Sequence, residues 1–352
     1  MPHRAGYMKK ILILQPSSDQ AQAIAKFLKK YSDDFFIVGG LMEGDSSRRS
    51  FPFFDKLEQI TPDCPTGKNA YDIILPTGAR STKSFFTKGN HLRVGNIRFD
   101  QKNLQVSDKL MMLDLISKLQ IPIPETYDSP DKIPAFPVFY KTRFETGGKG
   151  RGIIRDRKEL QAIAQDNSIF FQEFIDSPFT YGVGFLARDG ILITSFIQQE
   201  QYSYPKTGGS GVILQTFEDP ELIGYTEKIL KNLQYSGWGL VEFKYCPKRK
   251  DYVFMEVNAK FWASIEFTFL NNPVFFRELF DIRYIPERRV KCIIFLDRLA
   301  LYGVRDYVMI LLDHVRCYKL HGRRSLVNLC MGVIPAEIKK LMKWILSLTG
   351  LK

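Results

Sequence analysis

The sequence predicts an α+β protein that begins with a small doubly wound parallel sheet and ends in a basic helical tail. Three observations predict it. Residues 8 to about 95 alternate short apolar runs with helical stripes, in the βαβ manner. Residues 136–260 read as strand pairs joined by glycine-rich or polar turns. Most of the chain beyond residue 260 reads as helix, and from Arg283 to Lys352 it holds 14 Lys/Arg against five Asp/Glu, a net of +9.

KILILQ (Lys10–Gln15) reads as a short buried strand. Asp19 to Lys30 places Ala21, Ile24, Ala25, Phe27 and Leu28 on one helical stripe. DFFIVGG (Asp34–Gly40) and YDIILPTG (Tyr71–Gly78) supply two more strands, the last stopped by Pro76 and Gly78. No GxGxxG follows the first strand, so a dinucleotide site is not supported. Ser107–Leu119 is a helix with Ser107 as its N-cap, ended by Pro122 and Pro124. Phe136–Arg155 reads strand, glycine loop, strand. Asp156–Gln165 is a helix and Ser168–Ile175 a strand. Tyr181–Gln198 is a hairpin turning at Asp189-Gly190, Tyr204–Gly211 a loop, and Asp219–Leu233 a helix. Gly239–Lys260 gives two strands broken at residues 247–250. Pro335–Gly350 is the clearest tail helix, with Ile338, Leu341, Met342, Ile345 and Leu346 on one face.

Composition narrows the function classes. Hydrophobic residues make up 45% and charged residues 25%, which is globular rather than disordered. No apolar run is long enough to cross a bilayer, and Ile11–Leu14 is too short for a signal peptide, so a cytoplasmic protein is expected. Cys64, Cys246, Cys292, Cys317 and Cys330 are scattered, without a CxxC pair. His3, His91, His314 and His321 have no metal-like spacing. The net charge of +12 points to an acidic partner surface. No nucleic-acid motif accompanies it, whereas the 335–348 segment fits peripheral contact with the inner face of a membrane.

Four features carry chemistry. Phe144–Gly152 (FETGGKGRG) sits between two strands, and Gly147, Gly148, Gly150 and Gly152 let backbone N–H groups approach phosphate oxygens. Lys141 ends the strand entering that loop and Lys109 opens the preceding helix; each is a point charge suited to polyphosphate. Gln172 and Glu173 lie on an apolar strand, where an amide and a carboxylate beside free backbone groups can pair with an adenine edge. Glu242 and Glu256 lie on two strands joined by a short basic turn, and period-two geometry puts Asn258 on the face of Glu256. Two carboxylates and an amide oxygen among Val241, Phe243, Phe254, Met255 and Val257 make a hard-oxygen site suited to magnesium.

The series DK, YK, GGKGRG, QEFI, VEFK and MEVNAKFWAS, in this order, resembles the ATP-grasp superfamily, closest to its carbamoyl-phosphate-synthase-large-chain-like, carboxylate–amine ligase branch. The likeness covers roughly residues 72–282, preceded by a Rossmann-like domain similar to the usual pre-ATP-grasp domain. It implies an ATP-grasp fold in three parts: residues 8–105, the Rossmann-like domain; 106–282, the ATP-grasp domain with its central lid subdomain at about 136–198; and 283–352, the helical basic region. It implies ATP and Mg2+ (or Mn2+) as cofactors. Lys109, Lys141 and the lid Gly147, Gly148, Lys149, Gly150 and Gly152 would bind phosphates. Gln172 and the backbone of Glu173, Phe174 and Ile175 would hold adenine, and Glu242, Glu256 and Asn258 the metal. Lys141 and Lys260 would act in catalysis, and Arg143, Tyr204 and Lys206 would face the substrate.

The implied reaction activates a small-molecule carboxylate as an acyl phosphate for attack by an amine. A small-molecule kinase on the same fold, or a nucleotide-binding module with degraded catalysis, are the alternatives. Such sequences usually read Pro-Arg where Ala259-Lys260 stands here, and lysine keeps the charge but loses the bidentate fork. The strand before Tyr204 carries no arginine, unlike many of this branch.

Overall fold

A computed structural model describes residues 8–45, 51–60, 70–87, 92–144, 150–163, 168–205, 209–283, 285, 289–303, 305–306 and 309–310. The chain divides into two compact units, Met1–Gln199 with Thr216–Arg289, and Glu200–Gln215 with Val290–Lys352.

The first unit opens as the sequence predicts, with β1 (Lys9–Leu14), α1 (Asp19–Tyr31) and β2 (Phe35–Leu41). Ser18 caps α1 by accepting from the Ala21 N–H at 3.3 Å. Asp19 in its first turn and Lys29 and Lys30 in its last complement the helix dipole. An edge strand not expected from sequence, β3 (Lys56–Gln59), and β4 (Ile73–Leu75) complete a parallel sheet of order β3-β2-β1-β4. Strand β3 is polar and mostly exposed, so it lacks the apolar signature that marks β1. After α2 (Ala79–Thr87), a small hairpin, β5 (Leu92–Val94) and β6 (Ile97–Phe99), was likewise not anticipated.

Helix α3 (Lys109–Lys118) starts one residue later than expected, and its cap is Asp108, not Ser107. The Asp108 carboxylate accepts from the Met111 N–H at 3.2 Å, while the Ser107 hydroxyl donates to the Leu104 carbonyl at 2.6 Å. Next come β7 (Thr126–Tyr127), β8 (Val138–Thr142), β9 (Arg151–Ile154), α4 (Arg157–Ile163) and β10 (Ile169–Glu173). They form an antiparallel sheet of order β7-β10-β8-β9 with α4 beside β9.

Strands β11 (Thr180–Arg188) and β12 (Ile191–Tyr204) turn at Asp189-Gly190 as predicted, both residues having positive φ (49° and 81°). They are followed by β13 (Ser210–Phe217), α5 (Pro220–Leu233), β14 (Gly237–Cys246) and β15 (Asp251–Asn258). Within the first unit the order is β15-β14-β11-β12. Strand β11 passes under an indole: a Cβ at Gly184 would lie 2.3 Å from Cζ2 of Trp262, so only glycine fits there.

Helices α6 (Ile265–Asn271) and α7 (Pro273–Phe280) join the N-terminal sheet in one core. Phe27 of α1 contacts Phe269 and Phe276 at ring separations of 5.2 and 5.5 Å, and Phe35 meets Phe280 edge-on. Lys26 and Glu266 pair at 2.5 Å on the rim.

In the second unit β13 pairs antiparallel with β16 (Cys292–Ile294), followed by α8 (Leu296–Leu299). The expectation that this region is mostly helical is therefore corrected at β16, where a β-branched run finds the edge of β13. The predicted helix Pro335–Gly350 lies outside the described residues. Among the described residues no helix is long and apolar enough to cross a membrane.

Candidate active site

Two sheets of the first unit supply the site. In the hairpin β8–β9, Lys141 is directly opposite Arg151, and on the other side of β8 it is opposite Phe170 of β10. Gln172 is opposite Phe139, two residues from Lys141, so Lys141, Arg151 and Gln172 share one face. In the hairpin β14–β15, Glu242 is directly opposite Glu256, and Asn258 follows two residues on along the same face. A bulge follows Glu242 in this register.

The carboxylates are bridged by an amide. Asn258 Nδ2 donates to Glu256 Oε1 at 3.0 Å and to Glu242 Oε1 at 3.3 Å. Lys109 Nζ lies 3.8 Å from Glu256 Oε2. Lys141 Nζ donates to the Met255 carbonyl at 3.3 Å, reaching from one sheet to the other. Lys109 and Lys141 are only 8% and 4% exposed, so these are not solvated surface lysines.

The electrostatics follow from that crowding. Burial first, and the adjacent Glu256 second, push Glu242 up to about 7. Burial also acts to raise Glu256, but Lys109, Lys141, Arg151 and the Asn258 hydrogen bond together hold it below the usual carboxylate value. Burial lowers Lys260, against the pull of Glu242 and Glu256. The arrangement is thus two carboxylates ringed by Lys109, Lys141, Arg151 and Lys260, a surplus of positive charge suited to a polyphosphate.

Among the described residues no three His, Cys, Asp or Glu come together. A divalent ion would take Glu242, Glu256 and, after the amide turns, Asn258 Oδ1, with water and phosphate oxygens completing its shell. Magnesium is held in this way, through one or two carboxylates plus phosphates.

Gln172 is 1% exposed, and its Nε2 donates to Thr126 Oγ1 at 3.3 Å. That hydroxyl spends its own proton on the Pro124 carbonyl. The amide orientation is thereby fixed, and Gln172 Oε1 is a buried acceptor with no donor among the described residues. Beyond it, the side chain of Ile175 is buried with Cys246 and Val253.

Arg143 grips Asp108 with both arms at 2.8 and 2.7 Å, which commits it to the cap of α3. Gly150, at φ +71°, and Gly152 lie at the start of β9. Tyr204 belongs to the second unit. Gly147, Gly148, Lys149 and Lys206 fall outside the described residues. Arg151 was not singled out by the sequence reading. Its place became visible only in the pairing of β8 with β9, which sets it opposite Lys141.

Solved structures share this architecture. N5-carboxyaminoimidazole synthetase from Staphylococcus aureus, complexed with ADP, superposes with a TM-score of 0.61 at 13% identity, over 82% of this chain and 80% of that one. L-amino acid ligase from Bacillus licheniformis gives 0.59 at 12% identity, over 82% and 79%. Pyruvate carboxylase from Rhizobium etli gives 0.58 at 15% identity over 76% of this chain, which spans 28% of that enzyme's length. No protein-family model and no curated protein matches the sequence. The fold is nonetheless defined: this chain has the ATP-grasp fold, as the residue series had implied.

Proposed function

We propose that the protein is an ATP- and magnesium-dependent ligase that joins a small-molecule carboxylate to an amine. The observation that carries this reading is the Glu242–Asn258–Glu256 bridge set among Lys109, Lys141, Arg151 and Lys260. Likeness in fold to a synthetase complexed with ADP and to an amino acid ligase supports it. So does Gln172 Oε1, a buried acceptor of the kind that an exocyclic amino group of adenine would satisfy.

In this reading Lys109, Lys141 and Arg151 hold the triphosphate. Glu242, Glu256 and Asn258 would hold the metal, which would supply positive charge against the transferred group. A carboxylate oxygen of the substrate attacks the γ-phosphorus and ADP leaves. The amine then attacks the acyl phosphate carbon, phosphate leaves, and the nitrogen loses a proton. Lys260 offsets negative charge on the transferring phosphoryl group. No serine or cysteine nucleophile is required.

A binding-only role has one observation in its favour. Ala259-Lys260 replaces the Pro-Arg of the resembled family, and burial favours the neutral form of Lys260. Thermal unfolding of wild type and Glu256→Ala, with ATP and with or without magnesium, tests the site. A magnesium-dependent rise in Tm for wild type that vanishes in the variant is expected. No rise in either removes the nucleotide reading. Release of ADP only when both an acid and an amine are present separates ligase from binding module.

A further inference from the structure

The turn between β14 and β15 ends in Lys248, Arg249 and Lys250, and Arg249 is anchored at a distance. Arg249 sends one guanidinium nitrogen to the Ile123 carbonyl at 2.8 Å and the other to the Glu173 carboxylate, 76 residues earlier. The same carboxylate oxygen accepts from the Glu125 N–H at 3.3 Å, and the Glu173 N–H donates to the Glu125 carbonyl at 2.8 Å. Glu173 is therefore held through side chain and backbone together. The Phe254 N–H donates to the Pro122 carbonyl at 2.8 Å, and Ile175 is buried against Cys246 and Val253. The hairpin that carries Glu242, Glu256 and Asn258 thus also braces Glu173 and Ile175.

We propose that Arg249 is a positioning residue that holds the segment Gln172–Ile175 in register to read an adenine base. The proposal rests on the nucleotide reading given above. Its logic is a division of labour. Lys109, Lys141, Arg151 and the metal carboxylates bind triphosphate whatever base it bears. Base choice falls to Gln172 Oε1 and to the backbone from Glu173 to Ile175. Among the described residues no hydrogen bond engages the N–H of Phe174 or Ile175. An acceptor facing the base edge welcomes the amino group of adenine and opposes the carbonyl of guanine, but only at hydrogen-bond geometry. Arg249 is suited to fixing that geometry because its planar fork holds two acceptors in a rigid arrangement, whereas the donors of a lysine rotate on a flexible stem.

The test is titration of the full chain with Mg-ATP and Mg-GTP, for wild type, Arg249→Ala, Arg249→Lys and Glu173→Gln. Wild type should favour ATP. In Arg249→Ala the affinity for ATP should fall about tenfold, the scale of one charge-assisted hydrogen bond, while GTP changes less than about twofold. Glu173→Gln, which keeps volume and removes the charge, should also lower the ATP preference, and Arg249→Lys should lie between wild type and Arg249→Ala. In turnover the KM for ATP should rise with kcat nearly constant. Parallel losses for both nucleotides, an unchanged ratio in folded Arg249→Lys and Glu173→Gln, or a wild type indifferent to the base overturns the role of Arg249 alone. A wild type that binds neither nucleotide overturns both this role and the reading beneath it.

Discussion

Two carboxylates set directly across a strand pair repel each other, and at Glu242 and Glu256 the burden falls unequally. Lys109 lies at 3.8 Å from Glu256, which stays ionised, while Glu242 takes up a proton near neutrality. The sign of the linkage follows. Folding raises the Glu242 pKa above the ordinary carboxyl value of 4.5, so its stabilising share is fully present below about pH 4.5. That share is lost as pH rises through about 7. Stability in magnesium-free buffer should therefore decline across this window, and denaturant titrations of Glu242→Gln should show a shallower decline. Stabilisation by magnesium with ATP should rise over the same window and level off once Glu242 is ionised, because the cation competes with the proton. The nearness of these two residues was legible from sequence because both lie in apolar strands joined by a short turn, and period two sets Asn258 on the face of Glu256. Arg143 was not legible, since its partner Asp108 lies 35 positions away and only the folded chain brings them together.

Asp108 ties a helix to a strand. It caps α3, which begins with Lys109, and it holds Arg143 at the end of the strand bearing Lys141. The Lys109 N–H also donates to the Arg143 carbonyl at 3.2 Å. Asp108→Ala should cost about 1–2 kcal/mol as a lost cap and weaken nucleotide binding in the same variant. Asp108→Asn keeps an acceptor for the Met111 N–H, so denaturant melts should show most of the stability restored. Strand β11 offers a purely structural counterpart. Gly184→Ala drives a methyl into Trp262 and should destabilise by about 1–3 kcal/mol, read from the denaturation midpoint at constant m. Strong periodicity revealed α1, and turn chemistry revealed the Asp189-Gly190 hairpin. The polar edge strand β3 and the three-residue β16 carry too little pattern to be read without their partners.

Within the first unit, many of the chain's 28 phenylalanines meet in one core. The core that begins at Ile11 continues through Phe27, Phe35, Phe86 and Phe99, and then takes in Trp238, Phe261, Phe269, Phe276 and Phe280. Rings far apart in the sequence pack against one another at tilted angles, as in Phe99–Trp238 (51°) and Phe27–Phe269 (58°). The N-terminal sheet thus buries its helix α1 against residues more than 200 positions later, a closure no local pattern announces. Residues 8–105 expressed alone would leave Phe27 and Phe35 without these partners. Each large aromatic removed from its neighbours forfeits about 3–5 kcal/mol, comparable to the whole stability of a domain of that size. The isolated segment should therefore lack a cooperative melt and bind a hydrophobic dye. Phe276→Ala in the full chain should lower the midpoint seen by probes in the N-terminal sheet and by probes near α6 and α7 by the same amount, since both are built on one core. Separate midpoints for the two probes, or a sharp melt from residues 8–105, would show that the sheet stands by itself.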